Sequence, residues 1–437
     1  MSDTRYASSP PEPDAPARPG PRQDAHPTPA PTDPDTPNDA HPTPPPADPA
    51  HPDTPNDAHA TPAPEAPADG FAGRLRRALA PLPDDAEAGA VWRALGRGGI
   101  TAALYASRHP NGLPVDLDRL GTLLSVLDAR GDNGVTLSVL VQTASALPLL
   151  ANASGERCAT ARARVLAGDA RVALAATDEG APGSDLAALT TEVAVRAGHL
   201  TLDGGKRWIT NALGAGYLLV LARQRPGRHF TSFSWVLVPA DAPGVTVTPA
   251  DTPLLARSGT GHLRFEGVRL DADHLVGRPG RALPDFARHM ATERIAGAYW
   301  AVALTSRVLR ATRDRLAHRE SDGRPLWQNP VVRRDFAACL VRVTQLRALL
   351  DSVTGQVTAD RDLAWAGLLK AAVGLEADAV LSRCAELQGA DGMARGGAHR
   401  IRAEAAVLGL GGGATDLMLA QVADRAETFL DRLGTHP

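Results

Sequence analysis

The chain has 437 residues, 22% of them charged, and a formal net charge of -3 at pH 7. That length allows one large domain or two to three smaller ones, and the near-neutral charge, with no basic cluster in the folded part, gives no electrostatic case for nucleic acid. The three cysteines, Cys158, Cys339 and Cys384, are widely scattered, which fits neither a disulfide framework nor a C-x-x-C metal site and points to a reducing cytoplasm.

The opening MSDTRYASSPPEPD lacks the apolar core of a secretory signal, and no run of about 18 apolar residues suggests a membrane span. More than half of the 37 prolines precede Gly70. The octet DAHPTPAP at Asp24 returns as DAHPTPPP at Asp39 and DAHATPAP at Asp57. Such sequence has almost nothing to bury against the entropy of ordering, so residues 1–69 are expected to form a disordered, partly polyproline-like tail. Its repeated His26, His41 and His59 are read as solvated low-complexity sequence rather than metal ligands.

From Phe71 helical apolar spacing takes over, in 70–82, 88–104, 117–130, 134–150 and 156–167. From Arg171 the pattern becomes that of strands: TEVAVRA, HLTLDG, YLLVLARQ, FSWVLVPA, GVTVTPA and LRFEGVRL are short, β-branched and punctuated by Gly, Pro or Asp. From Leu283 the helical period returns and holds nearly to the end. The expected architecture is α+β: an N-terminal helical domain over 70–170, a middle β domain over 171–282 and a C-terminal helical domain over 283–437.

Two sequences in the β block stand out. One is Ala176-Thr177-Asp178-Glu179-Gly180-Ala181-Pro182-Gly183-Ser184-Asp185, and the other is Gly205-Lys206-Arg207-Trp208-Ile209-Thr210-Asn211. Trp208 and Thr210, two apart on a strand, can present a flat apolar wall and a hydroxyl on one face. Ser184, in a glycine-flanked turn, can approach a pyrophosphate. These are the needs of an isoalloxazine ring and its phosphates. Together the motifs resemble the T-E-P-x-x-G-S-D and G-x-K-x-W-I-T-N signatures of the acyl-CoA dehydrogenase family, with one additional residue between Thr177 and Gly183. The resemblance extends over the chain beyond residue 70. It implies that fold, with a C-terminal four-helix bundle, and it implies FAD contacts from Thr177, Ser184, Trp208 and Thr210.

Arg319-Glu320-Ser321-Asp322-Gly323-Arg324-Pro325-Leu326 is similar to the family's R-x-x-F-G-K-P-I, whose Arg reaches the FAD of a neighbouring subunit. Arg319 and Ser321 inherit that role, although Asp322 replaces an aromatic. Glu386-Leu387-Gln388-Gly389-Ala390-Asp391-Gly392 resembles Q-[IL]-x-G-G-x-G, and Glu386 brings a carboxylate where the family's Gln touches the dinucleotide.

The reaction that the resemblance implies oxidises an acyl thioester, on CoA or a carrier protein, to its α,β-enoyl form. A carboxylate takes the α-proton while a hydride leaves the β-carbon for flavin N5. Many members carry that carboxylate near the C-terminus in E-G-T-[ST]. Here Gly411-Gly412-Gly413-Ala414-Thr415 puts Gly412 in its place, and Gly412 has no proton acceptor. The isovaleryl- and long-chain-type branches place the Glu on an earlier helix, and Ala291-Thr292-Glu293-Arg294-Ile295-Ala296-Gly297 matches that station, making Glu293 the candidate base. Ala296 and Gly297 are expected to leave room for an acyl chain, with Trp300 either closing the pocket or sitting in the core. The resemblance further implies a homodimer or homotetramer, and an electron-transfer flavoprotein or oxygen as acceptor. A flavin-dependent monooxygenase or a non-catalytic binding protein on the same fold are the alternative readings.

Overall fold

The computed structural model of the chain describes residues 70–106, 115–151, 153–181, 183, 185–196, 198–360 and 363–434. The tail expected over residues 1–69 and the candidate Ser184 lie outside the described residues.

The N-terminal helices are α1 (Phe71–Leu79), α2 (Ala88–Arg97), α3 (Ile100–Leu104) and α4 (Leu117–Asp128), followed by α5 (Asn133–Val141). The expected helix over 88–104 is broken where Gly99 turns left-handed at φ 67°. Asp116 and Asp132 cap α4 and α5, their carboxylates accepting from the Arg119 and Val135 amides at 3.0 and 2.9 Å. After α5 comes a π-helical segment, Gln142–Ala146, then α6 (Leu147–Ala151) and α7 (Glu156–Leu166). The π turn accommodates Pro148, which has no N–H and whose ring would clash with an α-helical carbonyl four residues back. The Leu147 amide bonds the Gln142 carbonyl instead. That leaves the Thr143 carbonyl to the Tyr105 hydroxyl, which donates to it at 2.5 Å. The run Asn133–Ala151 is apolar and long enough to cross a membrane, but 89% of it is buried inside the fold, where it serves as a core helix.

The middle region contributes β1 (Val172–Ala175), β2 (Glu192–Arg196), β3 (His199–Ile209), β4 (Tyr217–Arg223), β5 (Phe233–Pro239), β6 (Val245–Pro249), β7 (Gly261–Asp271) and β8 (Leu275–Val276). They form one eight-stranded sheet in the order β6-β7-β3-β2-β4-β5-β8, with β1 paired parallel to β4. Strands β4 and β5 are buried on both faces. Leu219, Leu221, Trp235 and Leu237 join the helical core, while the alternating Leu218, Val220, Val236 and Val238 join a second core with Leu200, Leu202 and Phe265. Among the described residues, the sheet is thereby fixed to the helical core through one of its faces.

The C-terminal region opens with α8 (Ala282–His318), a short hairpin of β9 (Glu320–Ser321) and β10 (Arg324–Pro325), then α9 (Pro330–Asp360) and α10 (Leu363–Gln388). After them come α11 (Ala398–Ala405), α12 (Val407–Leu410), α13 (Thr415–Ala423) and α14 (Ala426–Gly434). Helices α8, α9 and α10 pack on one another, and α13 packs on α10 as the fourth member of the bundle.

Candidate active site

The two β-block motifs meet through backbone pairing. The Arg207 amide donates to the Thr177 carbonyl at 3.2 Å and the Glu179 amide to the Gly205 carbonyl at 3.1 Å. Under this pairing sits a buried ion pair, Lys206 Nζ to Asp178 Oδ1 at 2.9 Å. Asp178 also accepts from the Thr190 amide and from the hydroxyls of Thr190 and Thr191. Burial pushes the Asp178 carboxyl up, but the Lys206 charge and these hydrogen bonds outweigh it and hold it at about 2. The Lys206 ammonium is pushed down to about 8 by burial, against the pull of Asp178.

Trp208 does not present its ring by simple strand alternation. The β3–β7 register shifts between Lys206 and Ile209, and Trp208 occupies this bulge with a left-handed φ of 58°. Thr210 lies just beyond the end of β3 in a turn. Trp208 is 53% exposed, steadied by His262, whose Nδ1 accepts from the Trp208 amide at 3.2 Å and whose ring meets the indole edge-on. Asn211, the last residue of the motif, is buried and left-handed at φ 69°. Its amide nitrogen donates to the Ser138 carbonyl on α5 at 3.0 Å, which ties the motif to the helical run that ends at Ala151.

Seven residues along that run, about 10 Å further at 1.5 Å per residue, Ser145 Oγ donates to Glu293 Oε2 at 2.9 Å. Glu293 lies on α8, half-buried. Burial raises its carboxyl above the ordinary glutamate value, with Ser145, Arg294 and Lys370 each pulling in the opposite direction. Gly412 faces it: a Cβ placed there would lie 3.1 Å from Glu293 Oε1 and 3.6 Å from Lys370 Cε. Arg294 Nε donates to the Gly412 carbonyl at 3.2 Å, fixing the loop. Lys370 is buried, its Nζ donates to the Leu408 carbonyl, and burial lowers it to about 8.

Of the small neighbours expected to leave room, Gly297 does: among the described residues, nothing lies within 4 Å of its Cβ position. Ala296 instead faces the core. Trp300 is fully buried, donating from Nε1 to Asp128 Oδ1 at 3.2 Å, while Arg307 pairs with the same carboxylate at 2.8 Å. It is a core residue. Neither Ser145 nor Lys370 belongs to a motif in the sequence. A lone lysine in the apolar stretch Leu368–Val373 is a signal for the second. The first has none, because its aim depends on the π turn.

Arg319 and Ser321 lie at the far end of α8, about 39 Å from Glu293 at 1.5 Å per residue, and both are exposed. Within one chain they do not join the Glu293 site. Asp322 and Gly323, with φ of 53° and 71°, form the two-residue turn of the β9–β10 hairpin, the geometry for which Asp-Gly is favoured. Glu386 points away to Arg383 at 2.5 Å. The buried Gln388 bonds Thr312 and the Ala398 amide. A cleft of about 420 Å³ opens here, lined by Arg307, Arg315, His318, Arg395 and Gly397.

The chain matches the family descriptions "Acyl-CoA dehydrogenase, middle domain" over residues 173–268 and "Acyl-CoA dehydrogenase, C-terminal domain" over residues 284–427. The chain belongs to the acyl-CoA dehydrogenase family. That family comprises FAD-dependent oxidoreductases acting on CH–CH groups. Among its relatives, acyl-CoA dehydrogenase AFT10-1 of Alternaria alternata is 27% identical over 51% of this chain and 52% of its own length. The mitochondrial short-chain specific acyl-CoA dehydrogenase of Bos taurus is 30% identical over 40% of this chain and 42% of its own. The chain thus spans about half the length of these curated relatives. The acyl-[acyl-carrier-protein] dehydrogenase MbtN of Mycolicibacterium paratuberculosis is 25% identical over 66% of this chain and 74% of its own. Butyryl-CoA dehydrogenase of Megasphaera elsdenii superposes with a TM-score of 0.73 at 18% identity, covering 82% of this chain and 97% of that one. The FAD complex of PigA superposes with a TM-score of 0.74 at 18% identity, covering 82% and 96%. Both structural likenesses speak for the fold.

Proposed function

We propose that the chain is an FAD-dependent acyl-thioester dehydrogenase whose α-proton base is Glu293. The observation that carries this is the convergence of two stations: the Cβ position of Gly412 lies 3.1 Å from Glu293 Oε1. A carboxylate borne by either residue would therefore serve the same volume. The residues fit a flavin. Trp208, a residue 53% exposed, offers a large aromatic side chain that a ring system would cover. Thr177 and Thr210 flank it through the paired motifs. Bound FAD would supply a hydride acceptor, its N5, for the hydride leaving the substrate's β-carbon.

The chain's own part is proton removal. Glu293 takes the α-proton onto its carboxylate, and burial makes it a stronger base than an exposed glutamate. The open space beside Gly297 receives the acyl chain. Arg319 and Ser321, too distant to reach this site in one chain, would act on the cofactor of a second copy, so the reading requires at least a dimer. The substrate is an acyl-CoA or an acyl-carrier thioester, and an electron-transfer flavoprotein or oxygen reoxidises the enzyme. The free thiols of Cys158, Cys339 and Cys384 suit a reducing cytoplasm.

The test is anaerobic mixing of the yellow holoenzyme with short, branched and long acyl-CoAs and their carrier-protein counterparts. Flavin bleaching by one of them is expected, and Glu293→Gln should slow it by roughly 10²–10⁴-fold, the range for a positioned general base. A Glu293→Gln enzyme that bleaches at the wild-type rate would sink the assignment.

A further inference from the structure

We infer that Ser145 is the positioning residue of the base: the π turn in the Asn133–Ala151 run aims its hydroxyl at Glu293 and holds that carboxylate ionised and oriented. The inference rests on the proposed role of Glu293 and adds a second group to it.

Three observations lead there. The whole run from Asn133 to Ala151 carries no ionisable side chain, so its contribution to Glu293 is this one hydroxyl, donated at 2.9 Å from a residue 3% exposed. The π segment is pinned at its start, through two adjacent residues. Gln142 Oε1 accepts from the Val172 amide of β1 at 3.0 Å, and the Thr143 carbonyl accepts from Tyr105 at 2.5 Å. The extra residue of a π turn offsets the side chains within and beyond it by up to about 100° relative to a continuous α-helix, so the register that goes with Pro148 decides which side chain of the segment reaches α8. The sheet, Tyr105 at the end of α3 and the proline therefore jointly set where Ser145 points.

Among the described residues, the ionisable groups acting on Glu293 are Lys370 from α10 and Arg294 from its own helix. The loop facing it, Gly411-Gly412-Gly413-Ala414, contributes none. Lys370 is bonded to Leu408 and Arg294 to Gly412. Ser145 is thus the neutral donor on a carboxylate that burial would otherwise drive toward its protonated form. A hydrogen bond to the charged form favours that form and restricts the carboxylate's rotation.

The test reads Glu293 directly. Infrared difference spectra of wild-type holoenzyme minus Glu293→Gln isolate the carboxylic-acid C=O band of Glu293, which is titrated between pH 4 and 9. In Ser145→Ala the midpoint should move up by about one pH unit, the size expected for one lost donor on a carboxylate. Ser145→Thr, which restores a hydroxyl, should bring it back. FAD content and thermal midpoint should stay near wild type in both. With a reducing acyl-CoA, flavin reduction by Ser145→Ala below the midpoint should be about tenfold slower and recover at high pH. A Glu293 midpoint identical in wild type and Ser145→Ala overturns the inference even if Glu293→Gln is inactive. A shifted midpoint with a fully active Glu293→Gln enzyme would keep the Ser145–Glu293 pair and remove the base assignment instead.

Discussion

Glu293 and Gly412 share one small volume: the carboxylate Oε1 lies 3.1 Å from where a Cβ on Gly412 would stand. Gly412 also has a left-handed φ of 72°, a conformation that costs an L-residue about 1 kcal/mol or more. Two reasons thus converge on glycine, and Gly412→Ala should meet both. Its expected cost is about 1–2 kcal/mol of stability, together with slower flavin reduction because the methyl displaces the Glu293 carboxylate. Chemical denaturation and anaerobic stopped-flow would check the two parts separately. Gly412→Ala with wild-type reduction kinetics would show that the carboxylate works from elsewhere.

Trp208 is held in a left-handed bulge and left half-exposed, a strained placement that suits a residue kept for contact rather than for the core. Trp208→Gly relieves the backbone while deleting the ring. Its stability in the absence of FAD should stay within about 1 kcal/mol of wild type, whereas the FAD retained through gel filtration should fall sharply. Retention of full FAD by Trp208→Gly would remove the indole from the cofactor site.

The division into helices, strands and helices is legible because the apolar period changes from 3.6 to 2 near Arg171 and back near Leu283. The break at Gly99 and the π turn at Gln142–Ala146 are not. Both lie inside unbroken helical spacing and are decided by one residue each, Gly99 and Pro148. Glu293 can be nominated because a glycine stands at the alternative station. Its partner Ser145 cannot, since 148 positions separate the two and a one-residue change of helical register would aim a different side chain. Likewise the Trp208–Thr210 alternation fails because a bulge adds a residue that no local pattern announces.

Arg319 lies about 39 Å along α8 from Glu293, and in one chain its guanidinium is 3.5 Å from Asp391. If a second copy's cofactor is its target, Arg319→Ala should lower FAD content, and added FAD should raise the wild-type dimer fraction more than that of the variant. Analytical ultracentrifugation with and without excess FAD reads this. Equal linkage in both proteins would confine Arg319 to its local pair.

The Asp178–Lys206 pair should set part of the acid stability of the chain. Asp178 sits at about 2 in the fold against an ordinary value near 3.8, so its folded-state pKa is depressed. Its contribution, about 2 kcal/mol, is complete above pH 4 and is lost as the pH falls through about 2. Lys206→Met leaves a buried carboxylate without its cation and should cost about 3–5 kcal/mol. It should also loosen FAD, because the same pairing joins Thr177 to the Trp208 strand. Asp178→Asn with Lys206→Met removes both charges while keeping the hydroxyl and amide partners of residue 178 engaged. The double variant should recover much of the single variant's loss, and its unfolding midpoint should fall less than that of wild type between pH 4 and 2. Urea titrations across that window give the comparison. Parallel acid limbs in wild type and double variant would mean that other carboxylates govern acid unfolding, and a double variant no more stable than Lys206→Met would mean that the lysine matters through its packing rather than its charge.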